Sequence, residues 1–220
     1  ITEGESNVAI GDQAGSSMTT PSYNTYLGFQ SGYRNVVGAD NVAIGREAGE
    51  NATGSYNTFV GAQAGQGGTT SAPYSSGQYN TAVGYLALTG FTTGQYNVAI
   101  GHEAGRDISS ASSNVLIGWG AFKQGTTVGG NVMIGYNAAT VDASGANVVI
   151  GYSAFNSSNN SSSGNNVIIG YEAAQRRQVK GEAAKGAAKS LLQQVGEIPG
   201  DIAEAILDDP AVVTAQVDTK

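Results

Sequence analysis

Ten residues that each follow directly on a glycine carry most of the binding chemistry in this chain: Asp12, Phe29, Arg46, Ala62, Tyr85, His102, Trp119, Tyr136, Tyr152 and Tyr171. Aromatic rings set along a shaft are a usual platform for sugar rings, through apolar and CH–π contact. The same rings could instead pack on neighbouring coils or chains, and the residues alone leave both readings open. Tyr23, Tyr56, Tyr79 and Tyr96, each directly before an asparagine, carry the same pair of readings. Tyr85, Trp119, Tyr136 and Tyr152 are candidate receptor contacts on the first reading.

Catalytic chemistry is hard to assemble from this sequence. His102-Glu103 invites comparison with a zinc-protease motif, but the fifth residue is Arg106 rather than a second histidine, so the two-ligand helix face does not exist. His102 is the sole histidine, which leaves the many serines without a partner base and makes His102 itself a surface residue. No calcium loop of the Asp-x-Asp-x-Asp-Gly kind occurs, and no glycine-rich phosphate loop leads from a strand into a helix. With no cysteine, thiolate metal sites and disulfide staples are also excluded. The expectation is a protein that is not an enzyme and needs no cofactor or metal.

The elements that must position these residues are set by a repeat. Asn7, Asn24, Asn41, Asn57, Asn80, Asn97, Asn114, Asn131, Asn147 and Asn166 each open a copy of Asn-x-x-aliphatic-Gly, and successive copies lie 17, 17, 16, 23, 17, 17, 17, 16 and 19 residues apart. Without helical periodicity before about residue 172, a period this regular means one turn of a solenoid per repeat. The fold class expected is an all-β solenoid, a parallel β-roll of about ten coils of 16 to 23 residues.

Inside each copy the residue before the glycine is Ile10, Leu27, Ile44, Val60, Val83, Ile100, Ile117, Ile134, Ile150 or Ile169, and two places earlier stands Val or Thr in every coil, from Val8 to Val167. Period 2 puts these two columns on one face, expected to be the core. The column between them would then point outward, yet it includes Tyr26, Phe59, Leu116, Met133, Val149 and Ile168. An outward face that is always apolar needs a cover, and another copy of the same chain is the most economical one, so those six residues are candidate trimer-interface positions. The glycine column fits a corner needing positive φ or lacking room for Cβ. Three residues on, a small side chain (Ala or Ser31) recurs in every coil, where a second short strand could close on the core. The asparagines either form an amide ladder from coil to coil or serve as turn residues that tolerate the left-handed conformation.

The Asn-x-Ala-Ile-Gly-x-x-Ala pattern resembles the left-handed parallel β-roll head of trimeric autotransporter adhesins. Tyr79-Asn-Thr-Ala-Val-Gly-Tyr-Leu-Ala-Leu88 and Thr92-Thr-Gly-Gln-Tyr-Asn-Val-Ala-Ile-Gly101 are more similar still to repeats of bacteriophage tail-fibre proteins. The resemblance covers residues 7 to 174 and implies a trimeric, fibrous, surface-exposed protein used in attachment. Its partners would be two further copies of itself, other virion or tail proteins and a host-cell surface receptor, polysaccharide among the candidates. Coils of mostly 17 residues and a missing basic neck motif favour the phage form, placing the chain in a virion appendage rather than on a bacterial surface. A left-handed β-helix acyltransferase, whose hexapeptides also read aliphatic-Gly-x-x-Ala, is a minor alternative, since it needs about three such hexads per coil and this chain offers one. An ice-binding solenoid would want an unbroken outward ladder of Thr, whereas this column is broken by Val and expected to face inward.

Two departures interrupt the period. Gly67 to Gly77 makes one coil six residues longer than standard, and Pro73 and Tyr74 at its centre are further candidate receptor contacts, the alternative being a tolerated surface insertion. Asn156 to Gly164 is a smaller polar bulge. The domain division expected is a repeat shaft over 1–174 and a mainly helical segment over 175–220 for trimerisation or docking. In that segment, helices are expected near Glu182 to Gln194 and Asp201 to Leu207, with an extended or disordered tail from Val212. The net charge of −7 argues against nucleic acid and a bare anionic membrane as partners, and no segment is long and apolar enough for membrane insertion. A first residue of Ile1 rather than Met points to a fragment or a processed product.

Overall fold

The fold was obtained as a computed structural model, which describes residues 4–68, 73–125, 127, 129–139, 145–155 and 165–174. The expected C-terminal helices and tail, the polar bulge over 156–164 and residues 69–72 of the long loop lie outside the described residues, as does the whole of the second domain over 175–220.

Every asparagine of the repeat leads into a three-residue strand: β1 (Val8–Ile10), β2 (Thr25–Leu27), β3 (Val42–Ile44), β4 (Thr58–Val60), β5 (Thr81–Val83), β6 (Val98–Ile100), β7 (Val115–Ile117), β8 (Val132–Ile134), β9 (Val148–Ile150) and β10 (Val167–Ile169). They form one ten-stranded sheet in chain order, every neighbouring pair parallel. Register follows the repeat, so that Val98 pairs with Val115, Ala99 with Leu116 and Ile100 with Ile117. The chain is therefore the all-parallel β-solenoid its period predicts, one coil per repeat.

The glycine after each strand is obligatory. Its φ lies between +127° and +138°, and a Cβ on Gly101 would stand 2.5 Å from the carbonyl oxygen of Gly118 in the next coil. Beyond it the chain returns through turns rather than a second strand, a correction to the sequence expectation. Hydrogen bonds between coils still hold this return path: Glu103 N–H donates to the Tyr85 carbonyl at 2.8 Å and Gly105 N–H to the Ala121 carbonyl at 2.9 Å. Only isolated bridges, Ala52 with Ser75 and Ala139 with Phe155, mark it as strand-like among the described residues. Ala48, Ala64, Ala87, Ala104, Ala121, Ala138 and Ala154 are fully buried here, because only a methyl fits where the turn closes on the sheet.

The faces of the sheet are the reverse of those expected. Tyr26, Phe59, Leu116, Met133 and Val149 lie buried inside their own coil together with Ala43, Ala82 and Ala99, and Ile168 packs partly buried against the same core. These residues are therefore not presented to a partner chain. The Val/Thr and Ile columns point outward, half-exposed along the sheet and most open at its ends, in Val8, Ile10, Val167 and Ile169. Period 2 groups alternate residues on one face but does not say which face is inside. A coil this narrow has room for one strand side chain, not two, and the central residue takes it. The three threonines of the outward column, Thr25, Thr58 and Thr81, face out as well, still interrupted by valines.

Filling such a lumen requires large and small residues to alternate. Tyr26 fills the coils where the turn has Gly15 and Gly32, and a Cβ on Gly32 would meet the Tyr26 ring at 2.5 Å. Phe59 sits likewise against Gly65. Where the strand offers only Ala82, the turn supplies Leu88 and Phe91, both fully buried, and the Phe91 ring lies 5.5 Å from that of Phe59.

Candidate functional site

Two columns at the ends of the strands come together as ladders. Leaving the sheet after each glycine, Tyr85, His102, Trp119, Tyr136, Tyr152 and Tyr171 line up coil on coil, tilted by 49° between Tyr85 and His102 and stacked from His102 onward. Centroid separations are 5.3, 5.6, 4.7, 4.9 and 5.2 Å, and from His102 onward adjacent planes are within 11° of parallel. Entering the sheet, Tyr56, Tyr79 and Tyr96 make a shorter stack with separations of 4.9 and 5.0 Å. Four of the six residues expected to meet a receptor, Tyr85, Trp119, Tyr136 and Tyr152, thus belong to one ladder. His102 and Tyr171 complete it.

Stacking changes what the ladder can do. The strand spacing is about 4.8 Å, so rings carried one per coil meet face to face with an offset. Each interior face is covered by the next ring, and solvent reaches the rims. The sugar platform expected from the sequence needs open faces, which the interior rings do not have; the alternative of packing between coils describes them. Rims remain available, since Tyr85, Trp119, Tyr136 and Tyr152 are each between 38% and 46% exposed. Among the described residues, the hydroxyls of Tyr85, Tyr136 and Tyr152 have no hydrogen-bond partner.

A charged cluster lies alongside. Glu103 receives Lys123 Nζ at 2.5 Å and Arg106 Nη1 at 3.3 Å, with His102 Nδ1 at 3.9 Å. The hydrogen bond from Lys123 holds the Glu103 carboxyl below the usual carboxylate range against the opposing effect of burial. Arg106 also grips Asp107 through Nε at 2.7 Å and Nη2 at 2.6 Å, and Asp107 foremost raises the Arg106 pKa. Lys123 Nζ stands 5.6 Å from the centre of the Trp119 ring. The residues next to the ladder are thus mutually neutralised. At its far end the Glu172 charge raises the Tyr171 phenol. Among the described residues no group of three or more His, Asp or Glu is placed to hold a metal ion, and no helix is long and apolar enough to cross a membrane.

The long loop is held elsewhere. Arg34 Nη1 donates to the Tyr74 hydroxyl at 2.8 Å, and the guanidinium lies 5.1 Å from the Tyr74 ring centre and 5.0 Å from that of Tyr33. Tyr74 is therefore half-buried against the shaft, while Pro73 is exposed. None of the contacts made by Tyr74 reaches the aromatic ladder.

The asparagine column forms the amide ladder. Asn97 N–H and Nδ2 both donate to Asn80 Oδ1, at 3.1 and 3.0 Å, and Asn97 Oδ1 in turn accepts both from Asn114, at 3.1 and 2.9 Å. The left-handed residue is the one before each asparagine, including Tyr23, Tyr56, Tyr79, Tyr96 and Ala146, with φ between 56° and 64° except at Gly130, where it is 77°. Sequence reasoning missed that displacement, because tyrosine gives no propensity signal for positive φ.

Comparison with protein-family models, with curated proteins and with solved structures returned no match.

Proposed function

We propose that this chain is a non-enzymatic fibre segment, a rigid trimeric β-solenoid shaft of a phage tail fibre or related virion appendage that contributes to host attachment. The observation that carries the reading is the outward sheet face: two columns, Val or Thr and Ile, Leu or Val, run through all ten strands with no charged residue in either. A continuous, mainly aliphatic face of that length, broken only by Thr25, Thr58 and Thr81, asks for a cover. Its register repeats at the coil spacing, so a second copy of the same chain fits it best. Rotational symmetry about the shaft would bring equivalent faces together, and the count of three follows from the resemblance of the repeat to phage and adhesin fibres. Other virion proteins would join it end to end, and the exposed loop and ladder would meet a host-surface receptor. The head of a bacterial surface adhesin is the second reading, supported by the Asn-x-Ala-Ile-Gly-x-x-Ala pattern alone.

Sedimentation velocity tests the assembly: a trimer is expected, and a folded monomer at micromolar concentration would overturn the reading. Attachment is tested separately by competition, in which the soluble chain should reduce phage adsorption to the host. Shortening residues 67 to 76 to the standard coil length should leave the oligomer intact and reduce that competition if the loop takes part.

A further inference from the structure

We propose that the rim of the aromatic ladder is a binding track for an extended, unbranched polysaccharide lying along the shaft, one sugar opposite each coil. This rests on the attachment reading above and specifies the receptor's chemistry. Six rings stand in one file with centroids 4.7 to 5.6 Å apart. Because the faces are used by the neighbours, a ligand must be held by the rims: the phenol hydroxyls of Tyr85, Tyr136 and Tyr152, the indole N–H of Trp119 and the imidazole of His102. Such a row repeats one hydrogen-bonding group per coil, and its ligand must repeat hydroxyls at the same pitch.

The pitch decides among polymers. An extended peptide places side chains on one face every ~6.8 Å, which slips out of step with the ladder within two or three coils. Single-stranded nucleic acid binds by stacking bases on open ring faces and by cationic contacts to phosphate, and this ladder has covered faces on a chain of net charge −7. A β-1,4-linked glycan in its extended form advances by roughly 5 Å per pyranose ring, close to the strand spacing, and although alternate sugars are turned over, each still sets a hydroxyl opposite one coil. Glu103 beside the track is already paired with Lys123 and Arg106, so a neutral sugar chain meets no uncompensated charge.

Trp119, the sole tryptophan, sits within the ladder and reports on it directly. The full chain is titrated with cellohexaose, chitohexaose and mannohexaose while Trp119 emission is followed, with maltohexaose as a coiled control. At least one extended hexasaccharide should shift the emission, maltohexaose should not, and affinity should rise from disaccharide to hexasaccharide before levelling off. A Tyr136→Phe/Tyr152→Phe variant keeps both rings stacked and removes only hydroxyls, so it should keep its Tm and bind about tenfold more weakly. The track is overturned if none of the three extended hexasaccharides binds, or if the Phe variant binds as tightly as the parent. If the parent and the Phe variant block phage adsorption equally well, attachment stands and the track fails. If the parent binds the glycan yet leaves adsorption unchanged, the track stands and the attachment reading fails.

Discussion

Tyr26 sets a polar group inside the buried core of the coil and makes it useful there. Its hydroxyl receives Asn35 Nδ2 at 2.5 Å and donates to Asn24 Oδ1 at 3.3 Å, tying the strand to the turn and to the amide ladder. Burial pushes the phenol up to about 12, with Asn35 and Asn41 pulling the other way. A folded pKa above the unfolded value of about 10 means that the unfolded chain loses this proton first. Stability from Tyr26 is therefore complete below pH ~10 and lost as pH rises toward ~12, at most roughly 2–3 kcal/mol over that window. Thermal melts between pH 9 and 12 should show the fall, and Tyr26→Phe should flatten it relative to the parent. Backbone strain gives a second expectation at this scale. Ala146 holds φ at 62°, where Asp40 and Asn165 stand in two other coils and Gly130 holds the equivalent place one coil earlier. Ala146→Gly should raise stability by about 1 kcal/mol, the left-handed penalty of alanine less the extra unfolded freedom of glycine, measurable by denaturant titration.

Between neighbouring coils the asparagine ladder does for the corner what the strands do for the sheet. Asn97 is fully buried, accepts two hydrogen bonds from Asn114, and donates to Asn80 Oδ1 and, at 2.9 Å, to the Ala111 carbonyl. Asn97→Ala should strand the Asn114 backbone N–H and the Ala111 carbonyl in a buried corner, and leave the Asn114 side-chain amide only its longer bond to the Ser112 carbonyl. A loss of about 3 kcal/mol or more is expected, several times the effect of removing one exposed hydrogen bond, with unfolding in urea as the check. The ladder was one of two readings the asparagine column left open, and it is the one that the column's spacing, the coil spacing itself, permits. Strand positions were legible from the same spacing, and all ten fall where Val or Thr on one side and Ile, Leu or Val on the other bracket one residue. Which residue faced inward was not legible from shape, since β-branched side chains suit either face of a sheet. The readable signal was size. The Val and Ile columns hardly vary, as an outward repeating surface can afford to do, whereas the middle column swings from Ala43 to Phe59 to Ala82. Each swing is answered in the turns, by Gly65 against Phe59 and by Leu88 beside Ala82. Only a shared closed volume demands that compensation. The stacking of the aromatic column was likewise implied by one ring per coil, but covered faces follow from strand spacing, not from residue type.

At the scale of the whole molecule, the two sides of the sheet should respond in opposite ways to the same substitution. Met133 and Leu116 are fully buried in the lumen, while Ile117, next to Leu116 in the same strand, faces outward. An aspartate at Met133 would place a carboxylate among apolar side chains with no partner, costing more than about 4 kcal/mol, enough to unfold several coils of a solenoid in which each coil is supported only by its neighbours. The expected result for Met133→Asp is loss of the β-sheet signal in circular dichroism. An aspartate at Ile117 meets water in a single chain, where the monomer should lose no more than about 1 kcal/mol. In an assembly closed over the outward face, the same carboxylate would be buried against a second chain. Ile117→Asp should therefore leave the coil folded and shift sedimentation from trimer to monomer. Dissociation by Met133→Asp with the fold intact would restore the middle column to the interface. A parent chain that is already monomeric, and an Ile117→Asp variant indistinguishable from it, would leave the outward face to some other cover.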